Sequence, residues 1–356
     1  MGANPRAADA RAIEEAARRL AAGELVAFPT ETVYGLGADA ASERAIAAVY
    51  RLKGRPPGHP LIVHVLDAVQ AEWWAHWPRA AQRLADAFWP GPLTMILQRR
   101  GDAPGFACGG QASIGLRAPS HPVARALLAA FAARGGHGVA APSANRFGRV
   151  SPTCAAHVID DLGAEAPMVL DGGPCTVGVE STIIDLTRER PALLRPGGMG
   201  VAQLEAVLGA PLAPPDAQSA RAPGMLAAHY APVTPIELVD AIELPVRIAH
   251  ARARGERVAS WTRGGPSGRD ADEAQPAGGA APETRRPRAD VERVMPDDPG
   301  LAARELYHSL RELDRCGCSR ILIERVPDTP AWQAVADRLR RAAAGATLAR
   351  HDHGGR

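Results

Sequence analysis

The apolar run Leu25-Val26-Ala27-Phe28 is strand-length, not helix-length, and it runs straight into Pro29-Thr30-Glu31-Thr32. The same construction returns at Val139-Ala140-Ala141, which enters the turn Pro142-Ser143-Ala144-Asn145. A short buried strand that ends in hydroxyl and amide groups sets them at its carboxyl end, the usual ligand edge of an α/β sheet. Amphipathic helices lie between such runs. Ile13, Ala16, Ala17 and Leu20 share one face of a helix over 9–22 that Gly23 ends, and Ser42 caps a second helix reaching about Leu52. Further helices are expected near 79–88, 121–133, 153–162 and 201–208, and strands near 61–65, 93–98, 113–117, 168–170, 179–186 and 192–195. Strands of both alternating and continuous apolar type, mixed with helices, predict an α/β domain over 1–209 with a twisted mixed sheet.

Residues 210–235 change character. Ala-Pro-Leu-Ala-Pro-Pro is followed by Arg221-Ala222-Pro223-Gly224-Met225 and His229-Tyr230-Ala231-Pro232, a linker that carries aromatic and basic groups a passive spacer does not need. A smaller α/β unit is expected over 235–356, with strands near 235–239, 257–261 and 320–324 and helices near 299–315 and 331–343. No Val, Ile, Leu, Met or Phe occurs between Thr262 and Asp290, so 262–290 reads as a disordered insertion with nothing to bury.

The formal net charge of +2, from 41 basic and 39 acidic residues, argues against a general nucleic-acid coat but leaves room for a local basic pocket. Cys108, Cys154, Cys175, Cys316 and Cys318 are odd in number and irregular in spacing, which suits reduced thiols. No cluster has metal-ligand spacing, and no apolar run reaches the roughly 18 residues of a membrane span. The N-terminus has no apolar signal region, and the expectation is a soluble, cytoplasmic protein.

Lys53 is the only lysine; the other forty basic side chains are arginine. It lies in Arg51-Leu52-Lys53-Gly54-Arg55-Pro56-Pro57, just before the apolar run Pro60-Leu61-Ile62-Val63. Alone it reads as a helix-end survivor; with Arg55 two residues on, in a Pro/Gly loop, it reads as a phosphate site. His59 and His64 flank the next strand, as core histidines or as ligand contacts. Three further clusters carry polar groups: Pro29 to Gly37, turning through Gly35 and Gly37 after Phe28; Ser143-x-Asn145 with Ser151 behind it; and Gly178-Val179-Glu180-Ser181-Thr182 with Arg195 at a strand end. A P-loop, a Gly-x-Gly-x-x-Gly fingerprint and a Gly-x-Ser-x-Gly elbow are all missing from the sequence. A phosphate site here must come from Lys, Arg, Ser and Asn side chains on separate strand ends.

In this order the clusters resemble the YrdC-like family, and within it the two-domain threonylcarbamoyl-AMP synthases. The matching strings are PTETVYGLG, LKGRPPGHPLIVHV, WPGPLT, IGLRAPSHP, APSAN, SPT, DGG, GVESTIIDL, LLRPGG and APGMLAAHYAP, across roughly residues 20–232. The resemblance implies a YrdC-like domain, then a linker over 210–234 acting as a lid, then a smaller Rossmann-like domain. It implies a nucleotidyltransferase that converts ATP, L-threonine and bicarbonate or CO2 into threonylcarbamoyl-AMP and pyrophosphate. The product serves threonylcarbamoyladenosine formation in tRNA. By the same resemblance Lys53, Arg55, Ser143 and Asn145 surround the nucleotide phosphates. Thr32, His64, Arg117 and Ser181 hold threonine with Ala141, and Arg55, His59, Ser113, Ser143, Ser151, Arg195 and Tyr230 line the ATP site. Mg2+ is implied with ATP, and hand-over to the tRNA threonylcarbamoyl transferase machinery is implied with weak or indirect tRNA contact.

Two departures stand out. His59 sits before Pro-Leu where many members carry Asn or Lys, and Asp328-Thr329-Pro330-Ala331-Trp332-Gln333 is a loose version of the family's Gly-rich ending. Two other classes compete: an RNA-binding YrdC-like module without adenylate synthesis, and a carbamoyl transferase of the hydrogenase-maturation kind. The balanced charge and the lack of an aromatic-basic stripe disfavour the first. The second carries acylphosphatase-like and Cys-rich zinc segments that this chain does not have.

Overall fold

The computed structural model describes residues 5–264 and 287–353 and divides into two compact units, 1–226 and 227–356. The first unit holds ten strands: β1 (Arg6–Ala7), β2 (Val26–Pro29), β3 (Tyr34–Asp39), β4 (Ile62–His64), β5 (Leu93–Gln98), β6 (Ser113–Arg117), β7 (Val139–Ala140), β8 (Met168–Asp171), β9 (Thr182–Asp185) and β10 (Ala192–Arg195). They form one mixed sheet in the order β1-β8-β2-β3-β7-β4-β6-β5-β9-β10. Parallel neighbours such as β2–β8 and β4–β6 stand beside antiparallel ones such as β2–β3 and β5–β6. The mixed α/β class read from the sequence is the class observed.

Period-two alternation sends side chains to the two faces of this sheet. Val26 and Phe28 join a cluster with Leu20, Leu127, Leu128 and Phe131, from the helices Ala10–Ala21 and Pro122–Ala132. Ala27 between them joins a larger cluster with Leu36, Val63, Met95 and Leu116. The helix Glu43–Lys53 starts where the Ser42 hydroxyl accepts the Ala45 N–H at 3.3 Å. It ends at Gly54, whose φ of 64° is the left-handed region that favours glycine. That stop makes Lys53 the last helical residue and turns the chain toward β4.

One stretch differs from expectation. Tyr34–Asp39, read as part of a turn through two glycines, is a strand paired antiparallel with β2. Gly35 and Gly37 serve close approach, not turning. A Cβ on Gly37 would stand 2.8 Å from Phe28 and 3.0 Å from Val139, and one on Gly35 3.1 Å from the Ala141 Cβ. The strand expected over 179–186 is confined to Thr182–Asp185, and the helices Ala68–Trp74 and Leu244–Ala253 were not anticipated.

The second unit has a wholly parallel sheet of β11 (Ile236–Val239), β12 (Val258–Arg263), β13 (Val291–Met295) and β14 (Arg320–Glu324), ordered β11-β14-β12-β13. The strand Val291–Met295 is a further addition to the sequence reading. The helix Pro299–Arg315 buries Leu306, Leu310 and Leu313. Most of the insertion expected over 262–290 lies outside the described residues, but Thr262 and Arg263 complete β12.

The stretch read as a linker over 210–234 is shared between the units. Its first half packs on the first: Ala213 bridges to Ala192, and Ala222 is buried with Ile62, Ile96, Ile183 and Leu194. Arg221 and Gln111 exchange hydrogen bonds, Arg221 N–H to Gln111 Oε1 at 2.7 Å and Gln111 Nε2 to the Arg221 carbonyl at 3.0 Å. The second half packs on the second unit, where Asp314 accepts the N–H groups of Val233 and Thr234 at 2.9 and 2.7 Å. Among the described residues no helix is long and apolar enough to cross a membrane.

Candidate active site

The hairpin formed by β2 and β3 is the hub of the first unit's polar groups. From it the Tyr34 carbonyl accepts the Ala144 N–H at 2.9 Å, and Leu36 N–H donates to Pro142 O at 2.7 Å. Tyr34 N–H donates to Pro152 O at 2.9 Å, and the Glu31 carbonyl accepts Val177 N–H at 2.7 Å. Three of the four turns singled out in the sequence are therefore bound to one another through the backbone, and Phe147 N–H, donating to Lys53 O at 2.8 Å, adds the Lys53 loop.

Lys53 reaches across from its helix end and is 3% exposed. Its ammonium donates to the carbonyls of Ser143 and Asn145, at either end of the Ser-Ala-Asn turn. Burial, and then the neighbouring Arg55 charge, hold its pKa well below the usual lysine value. Arg55 is also buried; it donates to Pro60 O at 2.9 Å and stands over the Phe147 ring at 5.3 Å. His59 packs against the same ring, 5.5 Å between centroids, and its pKa is lowered by burial and by Arg55 and Arg221. Asn145 donates to the carbonyls of Arg146 and Arg149, at 2.7 and 2.9 Å, while its buried Oδ1 has no hydrogen-bond partner among the described residues. Lys53, Arg55, His59, Ser143 and Asn145 thus form a single basic patch, with Ser143 half-buried at its edge.

A second group centres on Arg117 at the end of β6. The register pairs it with His64 on β4. Its guanidinium donates from Nη1 to the Thr32 hydroxyl at 2.8 Å and from Nε to Gly91 O at 3.3 Å, and Nη2 pairs with Glu31 Oε1 at 2.7 Å. Nε and Nη1 donate hydrogen bonds, while Nη2 has the ion-pair contact with Glu31. Glu31, in contact with Arg117, was not among the candidate site residues of the sequence reading. Burial raises its pKa, but the charge and hydrogen bond of Arg117 outweigh that and hold it below the usual carboxylate value. The one available signal was an acid lodged between two threonines at a buried strand's end. His64 is 3% exposed, and burial, then Arg117, push its pKa down to about 3, so it is a neutral imidazole at working pH. Ala141 is buried just past the end of β7, level with Ile62, its N–H bound to Ile62 O at 3.0 Å.

The third group joins the last two turns. The Ser181 hydroxyl and the Thr94 hydroxyl are 2.7 Å apart, and Arg195 donates from Nη2 to Ser181 Oγ at 3.1 Å. Arg195 also donates to Ser181 O and, at 2.9 Å, to Pro223 O, so it clasps the first half of the linker stretch. Ser151 is fully buried and donates to Glu180 Oε1 at 2.6 Å. Ser113 opens β6, half-buried opposite Gln98. Tyr230 lies in the second unit, 1% exposed, its ring stacked 5.7 Å from Tyr307 with the Arg338 guanidinium 5.1 Å above it.

Known proteins resemble this chain along nearly its whole length. Residues 18–197 match the family model Sua5_yciO_yrdC, described as telomere recombination, and residues 199–344 match the C-terminal domain of threonylcarbamoyl-AMP synthase. A threonylcarbamoyl-AMP synthase of Pyrococcus abyssi is 38% identical over 93% of this chain and 95% of its own length. One from Bacillus subtilis is 39% identical over 94% of each. The crystal structure of P. abyssi Sua5 complexed with L-threonine superposes with a TM-score of 0.82, at 36% identity and 94% coverage of both chains. With both domain models matched and the relatives covered almost end to end, the chain belongs to the two-domain Sua5/YrdC family of threonylcarbamoyl-AMP synthases.

Proposed function

We infer that this enzyme makes threonylcarbamoyl-AMP and pyrophosphate from L-threonine, bicarbonate or CO2 and ATP, for the modification of tRNA. The observation that carries the reading is the meeting of two unlike groups on one hairpin: a buried basic patch around Lys53, and the Arg117–Thr32 corner. The first suits a triphosphate and the second an amino-acid carboxylate and hydroxyl. In this reading the threonine amine and CO2 give a carbamate, with loss of a proton. A carbamate oxygen then bonds to the α-phosphorus as the bond to pyrophosphate breaks.

Positioning and charge neutralisation do most of the work in such a transfer. Lys53 and Arg55 neutralise charge on the phosphates while Lys53 also ties down the turn that carries Ser143 and Asn145. Arg55, His59, Ser113, Ser143, Ser151 and Arg195 serve ATP. Thr32, His64, Arg117, Ala141 and Ser181 serve threonine, His64 as an uncharged donor or acceptor beside Arg117. Among the described residues no group of three or more His, Cys, Asp or Glu side chains is gathered for a metal ion. Mg2+ belongs to this reading as part of the substrate, on the phosphates of ATP. A cytoplasmic setting and transfer of the product to a tRNA-modifying partner complete it.

The test is pyrophosphate release from ATP with threonine and bicarbonate omitted in turn, for the wild type and Lys53→Ala. The reading expects a need for both co-substrates and collapse in the variant. Release with threonine alone would mean plain amino-acid activation, and salt-sensitive tRNA binding without turnover would favour the RNA-binding module.

A further inference from the structure

We propose that Glu31 is the positioning residue of the threonine pocket: its carboxylate sets the orientation of the Arg117 guanidinium and thereby the affinity for the amino acid. The inference rests on the assignment of Arg117 to the threonine carboxylate. Glu31 and Arg117 are 5% and 3% exposed, so this is a charge pair taken almost wholly out of water. Such pairs are costly to bury and give little stability over apolar packing, so their retention asks for another reason. Here the reason is geometric. A planar fork presents its N–H groups in fixed directions, and a bidentate contact with a carboxylate tolerates little rotation.

Three anchors on two segments fix the plane of that fork. Gly91 O accepts from Nε, the Thr32 hydroxyl accepts from Nη1, and Glu31 Oε1 forms an ion pair with Nη2 at 2.7 Å. Two of them lie within the Thr30–Thr32 turn, where Thr30 Oγ1 is also 2.8 Å from Thr32 Oγ1 and donates to Val33 O at 2.7 Å. Glu31 is itself held from outside the turn. Its Oε2 accepts the Ser120 N–H at 3.1 Å, three residues beyond Arg117, and its carbonyl accepts Val177 N–H at 2.7 Å. Of the three anchors only Glu31 bears charge. Its anion also offsets the buried guanidinium, leaving a corner near neutrality that admits a zwitterion.

The experiment measures L-threonine binding by calorimetry in the full chain without ATP, alongside the KM for threonine, the KM for ATP and the melting temperature. Glu31→Gln keeps the shape and an acceptor for Ser120 but loses the charge. Threonine affinity and the threonine KM are expected to worsen at least tenfold while the ATP KM stays within twofold. Glu31→Asp, which keeps the charge at shorter reach, is expected to recover part of the loss and decides the matter if the Gln variant does not fold. Unchanged threonine binding in a folded variant would overturn the proposal. A parallel rise of both KM values with a lowered melting temperature would overturn it too, by assigning Glu31 to the fold alone. The underlying assignment fails separately, if Arg117→Ala binds threonine as the wild type does.

Discussion

His64 should make the first unit lose stability in mild acid, by an amount that its burial sets. Its imidazole is 3% exposed and faces Arg117, which together push its pKa from 6.5 to about 3. In the unfolded chain it titrates near 6.5, so between pH 6.5 and 3 the unfolded state binds a proton that the folded state refuses. Stability from this residue is therefore complete above 6.5 and is lost as the pH falls toward 3. Lowering the pH from 7 to 5 should cost about 2 kcal/mol through this group alone. That figure barely changes if the folded value is a unit higher, because at pH 5 the folded imidazole is neutral either way. Glu31 loses its pairing in the same direction but lower in pH, so the difference between two proteins isolates the histidine. Urea unfolding followed by tryptophan fluorescence, at pH 7 and pH 5, would compare the wild type with His64→Gln. The variant should lose about 2 kcal/mol less over that interval. Parallel losses in the two proteins would refute the argument and would mean that the folded pocket accepts the proton.

Other outcomes follow from the same geometry. Lys53→Met removes the buried donor to Ser143 O and Asn145 O and should destabilise the first unit by about 2–4 kcal/mol, read by urea denaturation. It should also cut pyrophosphate release by roughly 100-fold or more, in keeping with the loss of one charge-stabilising donor. Gly37→Ala would set a methyl 2.8 Å from Phe28 and 3.1 Å from the Val26 carbonyl inside the sheet; thermal unfolding should show a loss of about 1–3 kcal/mol. If Mg2+ enters with ATP, as proposed, its chelation should stop pyrophosphate release and leave calorimetric threonine binding intact.

Sequence by itself determined the local grammar of this protein. Helix starts and stops were legible because capping is decided by a few neighbouring residues, as at Ser42 and Gly23. The two-faced strands were legible because alternation writes burial directly into sequence, as at Val26, Ala27 and Phe28. The turns that carry Lys53, Ser143, Asn145 and Ser181 stood out because polar groups at the ends of buried strands are unusual. Tertiary structure decided which of these turns meet. Lys53 finds its carbonyls 90 and 92 residues away, and Arg117 finds Thr32 85 residues away. Those partners follow from the strand order β3-β7-β4-β6, which no local signal encodes, because it is chosen by how the whole sheet buries its two faces. For the same reason Gly35 and Gly37 resembled turn residues: close approach by Phe28 and Ala141 exists only once the strands are packed. Glu31 went unnoticed because a carboxylate is ordinary in sequence, and it stands out only when the fold buries a guanidinium against it.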